Sequence, residues 1–406
     1  MIQSLSVYYH QILVGRLFLR NSGRMAFQYD SRWMDCSEGF PISLSLPFQD
    51  SPFDERRSRS FFSNLLPEGE VRRSIAARFS ISPENDFKLL EAIGGDCAGA
   101  LSLISEEASI GSGMSYRSFS LQELDESLEA LPRKTFMLAE KHVRLSLAGV
   151  QQKLPVYREG DSLFIPEGQA ASTHILKPRL STVSESIENE IFCMRLAKRI
   201  GMVVPEVDIL RTPRHSVFCI SRYDRKILGP QKVQKLHQED FCQALGLSPL
   251  QKYQNEGGPH FEAIAEAIEK YTSTPALDKK RFLEWVLFNF IIGNYDAHGK
   301  NISLLLSKNK VSLAPFYDLM STAIYEDLTP KMAMKIGGEY EADKICDRHW
   351  ERLAETFRVK KTFVLKFVAD MKKKTKKAAE LLAEDYKSSA VVKKIVAHIL
   401  KKTGDV

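Results

Sequence analysis

The stretch Gly293-Asn294-Tyr295-Asp296-Ala297-His298-Gly299-Lys300-Asn301 decides how this 406-residue sequence is read. It follows Phe282-Leu283-Glu284-Trp285-Val286-Leu287-Phe288-Asn289-Phe290-Ile291-Ile292, which is apolar nearly all round, as a buried helix is. It precedes two short apolar runs, Ile302 to Leu306 and Val311 to Phe316, whose joining residues Ser307-Lys308-Asn309-Lys310 predict a hairpin. Polar residues therefore crowd the exit of a core helix. Alone, Asn294, Asp296 and Asn301 could serve only as Asx turns at a helix end. The residues around them argue for chemistry.

Asp296 and Asn301 stand five apart, the spacing of the Asp and Asn in a kinase catalytic loop, where Asp orients or deprotonates the attacking hydroxyl and Asn holds Mg²⁺. After the predicted hairpin comes Phe316-Tyr317-Asp318-Leu319, with Asp318 where a second metal-binding aspartate would lie. Phosphoryl transfer needs hard oxygen ligands on one side of the moving group and a base on the other. Upstream, Thr173-His174-Ile175-Leu176-Lys177 reads as a strand ended by Pro178, and a helix containing Glu190 follows. That order suits a Lys holding phosphates and a Glu orienting it. The small-residue turn from Leu147 to Lys153 could lay backbone N–H groups against phosphates, although it is neither a Walker A loop nor a G-x-G-x-x-G loop. Ser146, just ahead of it, reads equally as an ordinary strand residue or as a hydroxyl near a phosphate donor.

Working outward, the length predicts two or three domains at roughly 100–200 residues each. With 44% hydrophobic and 27% charged residues, the composition excludes disordered and fibrous classes. The longest apolar run is too short to span a bilayer, and the first residues lack a basic then apolar leader, so the expected location is cytoplasmic, without membrane association. Six scattered cysteines without a C-x-x-C pair read as free thiols, mostly buried. Residues 1–105 read as a small α+β subdomain and 106–140 as a linker with a short helix. Residues 141–235 read as a β-rich part, and 236–406 as a helical part carrying the loop and hairpin. Residues 370–402 hold ten Lys and four acidic side chains, a net of +6 that equals the net charge of the whole chain. This stripe could meet phosphates; a solvated helix face is the plainer reading.

The order of Leu145 to Lys153, Thr173 to Lys177, Asn189-Glu190, Ser221-Arg222-Tyr223-Asp224-Arg225, His237 to Gly246, Ile292 to Asn301 and Pro315-Phe316-Tyr317-Asp318 resembles the HipA family of bacterial Ser/Thr kinase toxins. Pro41 to Pro47 and Asn64-Leu65-Leu66-Pro67-Glu68 resemble its N-terminal subdomain, so the likeness covers nearly the whole chain. The resemblance implies an α+β, bilobal protein-kinase-like fold with a small N-terminal α+β subdomain and an all-helical C-terminal lobe. It implies ATP and Mg²⁺ as cofactors and phosphorylation of a serine on a translation-related protein, an aminoacyl-tRNA synthetase in the best-known members.

Mapped by the resemblance, Asp296 is the catalytic base, Asn301 and Asp318 are the Mg²⁺ ligands, Lys177 binds phosphate and Glu190 orients it. Ala148, Gly149, Val150, Gln151, Gln152 and Lys153 form the nucleotide loop. Ser221, Arg222 and Tyr223 match the hinge beside adenine, and His298, Lys300 and Tyr317 join the nucleotide site. Ser146 matches an inhibitory autophosphorylation site. The implied partners are a helix-turn-helix antitoxin and, mainly through it, operator DNA. The segment matching the family's own DNA contact keeps Arg358 but has Glu355 where a base is expected, which leaves direct contact to the downstream lysines. Two alternatives stand beside this reading: a catalytically silent kinase-fold module in antitoxin- and DNA-bound regulation, and a small-molecule kinase on the same fold.

Overall fold

Leu5, Val7, Val14, Leu17 and Phe27 are fully buried because strands Ser4–Tyr9, Ile12–Leu19 and Met25–Tyr29 turn them to one face of a sheet. Leu101–Ser105 completes its four antiparallel strands, next to Ser4–Tyr9. Gly15 has no room for a side chain there, since a Cβ would lie 2.2 Å from the Gln28 carbonyl oxygen. Helices Glu55–Phe62 and Asp86–Ile93 are capped by Asp54 and Asn85, which accept from the Arg57 and Lys88 N–H groups. They pack on Met25–Tyr29 and Leu101–Ser105 respectively. Strands and helices here form an α+β arrangement.

In this computed structural model residues 3–105, 113–131, 145–146 and 151–404 are described. The chain divides into two units. The first comprises Met1–Pro178, Leu210–Pro249 and Leu305–Lys310; the second comprises Arg179–Ile209, Leu250–Leu304 and Val311–Val406.

The first unit holds a further antiparallel sheet in which His174–Pro178 lies between Ser216–Ser221 and Leu154–Glu159, followed by Ser162–Glu167 and Ser115–Phe119. Leu154, Val156, Ile165, Leu176, Val217 and Cys219 fill its core. The segment read as linker and short helix thus contributes a strand, Ser115–Phe119. The helix after it is Leu121–Glu129, started by a reciprocal cap between Ser120 and Glu123. Ser115 and Ser118 interrupt the apolar pattern, which is why the strand was illegible.

Beneath these sheets five charged side chains are buried together: Asp96, Arg222, Asp224, Arg225 and Lys235, none more than 8% exposed. Arg222 is bidentate on Asp224 at 2.9 and 2.7 Å, and Lys235 and Arg225 reach Asp96 at 2.5 and 3.2 Å. Burial opposes their charges, yet the surrounding cations hold both carboxyls below their usual range. Asp224 also accepts the Gly99 N–H at 2.8 Å, tying residues 96–99 to the strand region that follows Ser221.

The Pro41 to Pro47 stretch docks on Glu239, whose fully buried carboxyl takes the Ser43 hydroxyl at 2.5 Å and the Leu44 N–H at 2.9 Å. His237 donates to the Ile42 carbonyl at 2.7 Å beside it, and Asn64 to the Leu247 carbonyl at 2.9 Å.

In the second unit, helices Ser186–Arg199, Phe261–Tyr271, Pro275–Ile292, Asp347–Phe357, Lys361–Ala383 and Ala390–Thr403 share one core that includes Phe282, Trp285, Phe288, Leu353 and Ile395. The expectation of an all-helical C-terminal lobe is corrected. Besides the expected hairpin, Ser303–Ser307 with Lys310–Leu313, residues 236–406 carry a second strand pair, Lys331–Ile336 with Glu339–Glu341. Apolar runs bounded by turn residues won over helical surroundings. Lys361–Ala383 buries Val364, Val368, Met371, Thr375 and Ala379 and turns Lys373, Lys374 and Lys377 to solvent. Four of the six free cysteines are buried. Among the described residues no helix is long and apolar enough to cross a membrane.

Two outcomes follow from the buried charges. Burial pushes the Glu239 carboxyl up from 4.5 to about 8, against the two donors that favour its charged form. A folded-state value above the unfolded one contributes stability at low pH that is lost as pH rises through about 8. Melting temperature should therefore fall between pH 5 and pH 8.5 less steeply in Glu239→Gln than in wild type, read by differential scanning calorimetry. Asp96→Ala leaves Arg222, Arg225 and Lys235 with one carboxylate and should cost about 3–5 kcal/mol, read from the first urea transition.

Candidate active site

Helix Pro275–Ile292 ends at Gly293, in the left-handed region at φ 71°. A side chain there is excluded twice over, because a Cβ would lie 2.6 Å from both the Ala323 methyl and the His398 Nε2. The Gly293 carbonyl accepts the Thr322 and Ala323 N–H groups, each at 2.9 Å, and the Tyr295 N–H donates to the Thr322 hydroxyl at 2.8 Å. Asn294 bridges the helix end and the second strip, donating to Asn289 Oδ1 at 2.8 Å and to the Asp318 carbonyl at 3.3 Å. The strip is held from behind by Asn189. Its amide donates to the Ser321 carbonyl at 2.7 Å and accepts the Ser321 N–H at 2.8 Å. The loop Gly293 to Asn301 and the strip Asp318 to Ala323 are thus laced by backbone bonds within one unit.

On this frame Asp296 is exposed while its neighbours Tyr295 and Ala297 are buried. Its Oδ1 accepts the Tyr253 hydroxyl at 2.7 Å. Tyr295 is a buried phenol whose ionisation is pushed up to about 12, by burial first and then by the Asp343 charge, so it stays neutral. His298 begins a single 3₁₀ turn, Gly299–Asn301, in which its N–H donates to Asn301 Oδ1 at 3.1 Å and its Nδ1 accepts the Lys300 N–H at 3.3 Å. Tyr317 donates to the Lys300 carbonyl at 2.7 Å and meets the Ser303 hydroxyl at 2.7 Å, fastening the hairpin's exit to the same turn.

That turn presents the Asn301 amide nitrogen 3.2 Å from Asp318 Oδ2. Asp318 is in the left-handed region at φ 55°, a conformation that costs a non-glycine residue roughly 1 kcal/mol and so marks a constrained site. Two ligand oxygens on adjacent corners of an Mg²⁺ octahedron lie about 3 Å apart. The Asn301 and Asp318 side-chain ends fit such an ion once the amide presents its oxygen. Among the described residues there is no group of three or more His, Cys, Asp or Glu that could hold a metal. An Mg²⁺ site made of one or two carboxylates completed by phosphate oxygens matches that sparseness.

The remaining predicted residues lie mostly in the first unit. Lys177 is 4% exposed, faces Phe218 across the strand pair and holds its ammonium 5.5 Å from that ring's centre. Ser221 is opposite His174 in the same ladder, three residues and so about 10 Å along the strand from Lys177. Tyr223 donates to Gln238 Oε1 at 2.6 Å. Arg222 differs from its hinge expectation in one respect: its guanidinium is committed to Asp224 and the Ser172 hydroxyl, and its N–H donates to the Thr173 carbonyl at 2.8 Å. Gln151 donates to the Pro178 carbonyl at 3.1 Å, and Gln152 and Lys153 are half-buried. Ala148, Gly149 and Val150 lie outside the described residues. Residues 145–146 form a short strand parallel to Asp96–Cys97. Glu190 is buried on helix Ser186–Arg199 of the second unit.

Sequence reasoning assigned no role to Tyr253, Thr322 or the Asp96 network, and named Asn189 only as part of a motif. Tyr253 stands between Lys252 and Gln254 without periodicity or motif, so only the fold shows its partner.

Residues 145–379 match the model of the HipA-like C-terminal domain and residues 5–104 that of the HipA N-terminal domain. The chain is 37% identical over 389 residues to "Putative kinase Y4mE" of Sinorhizobium fredii, covering 95% of this chain and 93% of that one. It is 32% identical over 354 residues to the serine/threonine-protein kinase toxin HipA of Shewanella oneidensis, with 84% and 80% covered. The solved complex of Shewanella oneidensis MR-1 HipA with HipB and its operator DNA contains a chain that superposes with a TM-score of 0.87 at 27% identity, covering 98% of this chain and 96% of that one. With both domain models matched in order along one chain that carries the laced loop and strip, the protein belongs to the HipA family.

Proposed function

We propose that the protein is an ATP- and Mg²⁺-dependent serine/threonine protein kinase and the toxin of a toxin–antitoxin pair. The observation that carries the reading is the second unit's site: an exposed Asp296 carboxylate on the same short loop as Asn301, whose amide lies 3.2 Å from Asp318. Relatives named as kinases at 37% and 32% identity support it. The likeness to a chain from a complex with HipB and operator DNA supports an antitoxin partner and, through it, DNA.

In this reading Asp296 accepts the proton of the attacking serine hydroxyl, or orients it, and its exposure lets a protein acceptor reach it. Asn301 and Asp318 hold Mg²⁺, which when bound offsets charge on the phosphate oxygens. Lys177, buried with its ammonium over a ring, supplies a desolvated cation for phosphate. Its distance from Ser221 along the sheet suits the span from phosphates to adenine. Because phosphoryl transfer needs positioning more than covalent help, a loop held by backbone bonds is the apt scaffold. The acceptor is a serine of a translation-related protein, an aminoacyl-tRNA synthetase by family resemblance. Phosphorylation of Ser146 places a dianion beside a loop meant to cradle phosphates, which repels ATP and switches the kinase off.

The test is incubation of purified protein with γ-labelled Mg-ATP, with and without a bacterial translation extract, followed by phosphopeptide mapping. Wild type should label Ser146 and one extract protein on serine. Asp296→Asn and Asp318→Ala should fold as wild type by circular dichroism and lose turnover by at least about a hundredfold. Wild-type turnover in either variant removes the assignment. A chain that does not bind Mg-ATP by calorimetry is instead a silent module.

A further inference from the structure

The Asp296 carboxylate has a single protein partner among the described residues, and that partner belongs to neither the loop nor the strip. It is the Tyr253 hydroxyl, 2.7 Å from Oδ1. Resting on the kinase reading above, we infer that Tyr253 is a positioning residue for Asp296: its phenol holds one carboxylate oxygen and leaves the other for the acceptor hydroxyl.

The geometry around Tyr253 favours a fixed donor over a chance contact. The Tyr253 carbonyl accepts two N–H groups, from Glu256 at 3.0 Å and Gly258 at 2.9 Å, which curls the segment into a tight turn. Gly258 is essential to it, since a Cβ there would lie 2.6 Å from both the Gln251 and Tyr253 carbonyl oxygens. On one side of Tyr253, the Lys252 carbonyl accepts the Gly299 N–H at 3.3 Å, bonding the segment to the 3₁₀ turn that carries Asn301. On the other side, Gln254 Oε1 accepts the Lys335 N–H at 2.7 Å. Lys335 belongs to strand Lys331–Ile336, and two residues earlier the Ala333 N–H donates to the Tyr295 carbonyl at 2.8 Å. The residues flanking Tyr253 are therefore bonded directly to the 3₁₀ turn and, through one strand, to the residue preceding Asp296. The ring itself stands edge-on to His298, with centres 5.3 Å apart, which fixes the direction from which the hydroxyl approaches.

An aspartate on a loop has two torsions to lose before it can meet an acceptor in line. A neutral phenol is a suitable holder, because it donates one bond to the carboxylate without introducing a charge that would bind it as an ion pair. The acceptor hydroxyl then meets an oxygen whose plane is already set.

The experiment measures total turnover of γ-labelled Mg-ATP by the full chain, as labelled protein plus released phosphate, for wild type, Tyr253→Phe, Tyr253→Ala and Asp296→Asn. Tyr253→Phe keeps the ring against His298 and removes only the hydroxyl. It should lower kcat about tenfold while the KM for Mg-ATP, the calorimetric affinity for Mg-ATP and the melting temperature stay at wild-type values. Tyr253→Ala should lower kcat at least as far. A wild-type kcat in Tyr253→Phe overturns the inference, and so does a loss accompanied by weaker Mg-ATP binding or a lower melting temperature, which marks Tyr253 as structural. If Asp296→Asn is inactive while Tyr253→Phe is not impaired, this inference alone fails. If Asp296→Asn turns over normally, or wild type does not turn over at all, the kinase assignment fails with it.

Discussion

One carbonyl organises the site. Gly293 ends the long buried helix Pro275–Ile292, and its oxygen takes the N–H groups of both Thr322 and Ala323. A helix C-terminus leaves acceptors unpaired, and here the Gly293 carbonyl is met by a segment that returns after a hairpin. The requirement for φ 71° and for no side chain at that position follows from the same closeness. Once the helix end and the strip are joined, Asp296, Asn301 and Asp318 have little freedom left.

The lacing also explains why such unlike residues surround the loop. Asn189 imitates a strand partner by bonding both backbone groups of Ser321. Asn294 supplies one bond to each side of the joint. Thr322 serves as acceptor for the Tyr295 N–H through its hydroxyl and as donor to Gly293 through its backbone. Each is a short polar side chain satisfying backbone groups in a buried place where no regular ladder is possible, the situation in which an unpaired group costs most.

Much of this could be read from sequence, for identifiable reasons. The buried helix, the hairpin and the Asp296–Asn301 spacing were legible because apolar runs and polar exits are local patterns. Strand Ser115–Phe119 was hidden by its serines, since its partner Ser162–Glu167 is some fifty residues away. The same holds for charges. Arg222 read as a ligand contact because a surface Arg and a buried Arg look alike in sequence. Its partner Asp224 is only two residues on, but the burial that makes the pair structural comes with Arg225 and Lys235 on Asp96, more than a hundred positions away. Tyr253 was invisible for a similar reason, being 43 residues from its partner.

The two kinds of polar burial in this chain carry different consequences. The Asp96 cluster pairs three cations with two carboxylates beneath the sheets, and such groups fix which segments can meet more than they add net stability. Around the active loop the buried groups are mainly amides, hydroxyls and backbone, with Lys300 as a buried cation, and the carboxylate of Asp296 is the one side chain of the sequence Asn294 to Lys300 that is exposed. Because its carboxylate is exposed, Asp296 stays open to whatever binds there. In the proposed kinase reading, charge brought by nucleotide and metal would act on a carboxylate and on ligand oxygens whose positions are already set by backbone bonds, so that little rearrangement is needed at the moment of reaction.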